Sequence, residues 1–186
     1  RWLTSYPVYL NNFGSGQSAM LAYLVSLSYR LFGGYSLFAV RAVTATAGCL
    51  GILNAYWLLR LAYGKNCGLF AALLYAVCPI FIATSRMGLD CYLMLTFFGF
   101  SVVCVAKAAS SGKTAWYLLS GFALGLTLYT YILSWVAVPL FLAACLFLLL
   151  FFRKAGFKKL LALCLPLLLL ALPLVAQLLV NLRLIP

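Results

Sequence analysis

Apolar residues come in long runs along this chain, and polar positions interrupt them at near-regular intervals. The pattern predicts six helices of membrane-crossing length, at 38–61, 67–84, 91–108, 115–133, 136–152 and 159–182. The breaks between them carry turn or charge chemistry: Gly64-Lys65-Asn66, the stretch 85–90, Ser110-Ser111-Gly112-Lys113, Ser134-Trp135 and 153–158. Breaks this short join antiparallel neighbours. Residues 1–14 mix polar and aromatic positions around Pro7 and Gly14, so they read as an interfacial loop with Trp2, Tyr6 and Tyr9 at headgroup level. Residues 16–32 fall short of the roughly 20 that a crossing needs, and they include Gln17, Ser26, Ser28 and Arg30. A helix lying in the membrane interface is predicted there. The expected organisation is an external loop with a surface helix over 1–34 and transmembrane helices over 38–182.

Composition identifies the solvent. With 67% hydrophobic and 8% charged residues and a mean hydropathy of +1.15, a soluble domain could not cover its apolar surface. The fold class predicted is all-α, a polytopic helical membrane protein. A net charge of +12 would suggest nucleic acid in a soluble chain. Here the basic residues punctuate apolar runs, so they read as topology signals and contacts with anionic membrane lipid, with no nucleic-acid partner. Counted by alternate loops, one side holds Arg60, Lys65, Lys107, Lys113, Arg153, Lys154, Lys158 and Lys159, and the other Arg1, Arg30, Arg41, Arg86 and Arg183. The richer set belongs in the cytoplasm. The chain opens at Arg1 and stops at Pro186 just after an apolar run, which reads as a piece of a longer protein.

Candidate chemistry is sparse. The chain has 1 acidic residue, Asp90, and no histidine, which excludes a Ser-His-Asp triad and a two-carboxylate glycosidase pair within these residues. The 7 cysteines form no C-x-x-C pair and read as small core residues. A carboxylate at the bilayer centre costs roughly 2.5–3.5 kcal/mol on the insertion scale, so Asp90 needs a partner, water or a function. The topology places it on the outer face together with Asn11, Asn12 and Gln17 from the first loop, Arg86, and Tyr129, Tyr131 and Trp135. Asp90 could coordinate a divalent cation or orient a substrate hydroxyl, with Arg86 binding an anionic group such as phosphate. Alternatively Arg86 and Asp90, four apart, form an interfacial ion pair on one helical turn. The stretch from Asn11 to Gln17 could make a nest of backbone N–H groups opening a helix, or cap that helix. Tyr129, Tyr131 and Trp135 could line a groove for a lipid carrier or form an aromatic belt. Arg41 reads as a snorkelling anchor.

The order of motifs carries a resemblance. PVYLNNFGSGQSAMLAYL, then YRLFGGYSLFAVRAVTATAG, then LLYAVCPIFIATSRMGLDCYLML, then GFALGLTLYTYILSWVAVPL resembles bacterial membrane glycosyltransferases of the GT-C type. The protein O-mannosyltransferases and lipid A aminoarabinose transferases are the group it is most similar to. The resemblance runs over most of the 186 residues, and P-x-x-I-x-x-S-R-x-G-L-D is its most specific part. It implies sugar transfer from a polyprenyl-phosphate carrier to an acceptor on the outer face of a bacterial plasma membrane. It places Asp90 at the family's second acidic position, at the mouth of the active site, where a metal ion is sometimes held. Gln17 falls near a position that is Glu in aminoarabinose transferases, and Tyr131 at a phosphate-binding Lys of some relatives. The family's first-loop acidic motif would lie before Arg1, so these residues alone are expected to be inactive. Two readings compete with the enzyme: a transporter or flippase with Arg and Asp at a gate, and a structural membrane subunit.

Overall fold

The computed structural model describes residues 9–12, 15–34, 36–152 and 156–181, and the side chains of 19–34, 36–152 and 156–176. Strands β1 (Tyr9–Asn12) and β2 (Ser15–Ser18) pair antiparallel, with Asn11 opposite Gly16 and Leu10 opposite Gln17. Among the described residues eight helices follow, so the fold is all-α apart from this hairpin. They are α1 (Met20–Phe32), α2 (Leu37–Tyr63), α3 (Lys65–Val77), α4 (Pro79–Met87), α5 (Asp90–Ser111), α6 (Thr114–Thr127), α7 (Ser134–Phe151) and α8 (Phe157–Asn181).

Local chemistry sets the boundaries. Gly33 ends α1 in the left-handed region at φ 75°, where L side chains are disfavoured. Ser36 caps α2 by accepting a hydrogen bond from the Ala39 N–H at 3.2 Å. Pro79 opens α4 and holds Cys78 extended at ψ 119°, as the residue before a proline prefers. The chain therefore bends by 58° between α3 and α4.

Among the described residues four helices are long and apolar enough to cross a membrane: α2, α5, α7 and residues 157–176 of α8. The bent α3–α4 pair makes a fifth when counted as one span. The six straight crossings expected from hydropathy are revised at two places. The run 67–84 is broken at Pro79, and the run 115–133 is helical only to Thr127. At 14 residues, α6 extends about 21 Å, less than the roughly 30 Å hydrocarbon core. The predicted surface segment 16–32 begins as strand β2 and is helical only from Met20.

Packing relies on small residues where helices approach closely. In α6, Gly121 and Gly125 form a G-x-x-x-G face toward α8: a Cβ at Gly121 would overlap the Leu163 carbonyl oxygen, and one at Gly125 would meet Leu170 at 2.5 Å. This is how membrane helices gain close van der Waals contact without a hydrophobic driving force between them. Ser101 of α5 and Ser120 of α6, both fully buried, join hydroxyls at 2.8 Å. The first core cluster, Ala108, Tyr117, Leu149, Ala162 and Leu163, draws on four helices. A second joins Val43, Ala47, Tyr92 and Leu93, with Leu21, Leu24 and Val25 of α1 against it. Outward faces remain apolar, for example Leu168, Leu169 and Leu172 of α8. Of the cysteines expected in the core, only Cys104 and Cys145 are buried, while Cys49 and Cys67 are exposed on outward faces.

Candidate active site

The site is built around a tight turn. Gly88, at φ 70°, ends α4 in the left-handed region, and α5 begins two residues later at Asp90. A Cβ at Gly88 would touch Val40 at 3.4 Å, so this turn lies beside the first turn of α2. Helix α1 reaches the same region, because the Ser28 hydroxyl donates to the Ala39 carbonyl at 2.7 Å.

Asp90 occupies the first turn of α5, where a carboxylate meets the positive end of the helix dipole. Its Oδ1 accepts the Cys91 N–H at 2.9 Å, and Oδ2 has no protein partner among the described residues. The side chain is half-buried. Arg86 is exposed in the last turn of α4. Because the helix stops at Met87, Arg86 and Asp90 do not share a helical face, and they form no ion pair among the described residues. The alternative of a one-turn ion pair is thereby corrected.

Tyr131 stands between α6 and α7 and lines a cavity of about 340 Å³ with Thr84, Cys91, Tyr92 and Leu133. The lining takes in Cys91, the residue after Asp90, and not Asp90 itself. Tyr129 and Trp135 do not line it. The Tyr129 hydroxyl donates to the Leu170 carbonyl at 2.6 Å. The Trp135 Nε1–H donates to the Leu128 carbonyl at 3.2 Å. The proposed aromatic groove thus reduces to Tyr131, and the other two side chains tie the turn to the bundle.

The stretch 11–17, read as a nest or a helix cap, does not open α1 directly. Asn11, Asn12 and residues 15–17 lie in the β1–β2 ladder, residues 13 and 14 lie outside the described residues, and α1 starts after Ala19. The side chains of Asn11, Asn12 and Gln17 lie outside the described residues. Arg41 is exposed near the start of α2, consistent with an anchor.

Sequence patterning missed the polar groups inside the bundle beneath Asp90. Tyr75 and Tyr92 bring their hydroxyls to 3.4 Å, and a Cβ at Gly48 would meet Ser85 at 3.2 Å and the Tyr92 hydroxyl at 3.4 Å. Thr96 donates to the Ala47 carbonyl at 3.1 Å. These residues sit singly in apolar runs on four different helices, with no spacing to link them. Among the described residues no group of three His, Cys, Asp or Glu side chains is placed to hold a metal ion.

A helical bundle with apolar outward faces, several spans and one carboxylate at its rim is an integral membrane protein. The chain belongs to the dolichyl-phosphate-mannose-protein mannosyltransferase family, whose model matches residues 17–180. This bears out the resemblance to GT-C membrane glycosyltransferases. The family implies a polyprenyl-phosphate-linked sugar donor and a membrane lipid environment. No curated protein and no solved structure matches the chain.

Proposed function

We propose that the bundle end around Asp90 carries sugar transfer from a polyprenyl-phosphate carrier to an acceptor hydroxyl on the extracytoplasmic face. One observation supports this above the rest: the sole carboxylate begins α5, one residue before the Cys91 that lines the Tyr131 cavity, and its Oδ2 has no partner among the described residues. Arg60, Lys65, Lys107, Lys113, Lys158 and Lys159 gather at the opposite ends of the helices, the arrangement that turns the Asp90 end away from the cytoplasm.

In the reaction the acceptor oxygen bonds to the anomeric carbon as the bond from that carbon to the phosphate oxygen breaks. The carrier phosphate leaves with the electron pair, and the acceptor proton passes to a base. Asp90 Oδ2 accepts the acceptor's O–H and orients it, while the carboxylate charge favours the positive character developing at the anomeric carbon. Arg86 binds the departing phosphate as a charge-assisted partner. Tyr131 and, from the first loop, Asn11, Asn12 and Gln17 are the remaining groups assigned to donor and acceptor. A divalent cation held here would take Asp90 and the donor phosphate as ligands, since one carboxylate makes no protein cage. Its chemistry would be neutralisation of charge on the leaving phosphate.

The test is Asp90→Asn in the full-length protein, assayed with a polyprenyl-phosphate sugar. Transfer should fall by about a hundredfold or more with membrane insertion intact. Unchanged turnover would remove Asp90 from the reaction.

A further inference from the structure

At the other end of α5, about 25 Å along the helix from Asp90, Lys107 is clamped between two indoles. Its ammonium lies 4.3 Å from the Trp57 ring and 4.4 Å from the Trp116 ring. Arg60 stacks on the other side of the same cluster, 4.9 Å from Trp57, and donates to the Tyr56 hydroxyl at 2.9 Å. Aromatic faces attract a cation but do not neutralise it. Among the described residues Lys107 has no hydrogen-bond acceptor, and neither indole N–H of Trp57 or Trp116 has a partner. The chain's one carboxylate is at the opposite rim, so no side chain of this chain can supply the counter-charge.

The cation also caps a groove. A cavity of about 430 Å³ runs between α2 and α5, lined by Leu50, Leu53, Phe97 and Phe100 and closed at its end by Lys107 and Trp116. Its α5 wall extends from Thr96 to Lys107, about 16 Å of helix. This is within the roughly 300–1,000 Å³ range of ligand pockets. Asn54, in the α2 wall, already donates to the Thr96 carbonyl at 2.9 Å, so the slot is apolar along its length and cationic at one end.

We infer that this groove binds an anionic glycerophospholipid, with its phosphate on Lys107 and the flanking indole N–H groups and one acyl chain along α2 and α5. The site stands apart from the transfer reaction at the Asp90 end and does not depend on that assignment.

The purified full-length protein would be titrated with phosphatidylglycerol and, separately, with phosphatidylcholine of the same acyl chains, and read by native mass spectrometry. The expected preference for phosphatidylglycerol is about fivefold, the contribution of one basic residue near a lipid headgroup. Lys107→Gln should abolish that preference, while Lys107→Arg and the exposed-site control Lys113→Gln keep it. Brominated phosphatidylglycerol should quench tryptophan fluorescence more than brominated phosphatidylcholine, and the Trp57→Phe, Trp116→Phe double variant should lose the excess. Equal binding of the two lipids, a preference that survives Lys107→Gln, or absence of excess quenching would each overturn the assignment. The quenching measurement on the unaltered protein keeps the test decisive even where a variant fails to fold.

Discussion

Single hydroxyls fix the rim of this bundle. Tyr129 reaches from the turn before α7 to the Leu170 carbonyl, and Tyr129→Phe should cost about 1 kcal/mol, read as a lower unfolding temperature in detergent. Asp90 was legible in the sequence because a lone carboxylate in an apolar chain has few places to go. Lys107 was not, since Trp57 and Trp116 meet it from other helices and its spacing in the sequence matches that of any loop-end lysine.

At the scale of elements, α2, α5, α7 and α8 could be read directly, because glycine, serine or basic residues bracket each apolar run. The bend at Pro79 and the early end of α6 could not. Hydropathy continues through both, while backbone chemistry decides them: Pro79 lacks an N–H, and the hydroxyls of Thr127 and Thr130 bond to carbonyls three or four residues earlier. The α6–α8 contact offers a graded test. Gly121→Ala drives a methyl group into the Leu163 carbonyl, which belongs to backbone and cannot rotate away, so a loss of about 1–3 kcal/mol is expected. Gly125→Ala meets mainly the Leu170 side chain and should lose less. Reversal of that order in thermal melts would show that the two helices separate more easily than this packing implies.

The molecule as a whole has two unlike ends, and their assignment to membrane faces is testable. In a cysteine-depleted full-length background, Met87→Cys should react with a membrane-impermeant thiol reagent applied from outside, and Lys113→Cys only after permeabilisation. Labelling of both from one side would overturn the orientation. Depth also matters, because α6 stops about 10 Å short of a full crossing and residues 128–133 continue as turns. The amides of Tyr131, Ile132 and Leu133 make no backbone hydrogen bond among the described residues, and irregular backbone at membrane depth requires protein burial or a wet cavity. The turns after α6 therefore have to be either covered by protein or wetted. Under the proposed transfer reaction, a wetted turn there would let a lipid-linked sugar present its head to water while its tail stays in the oil.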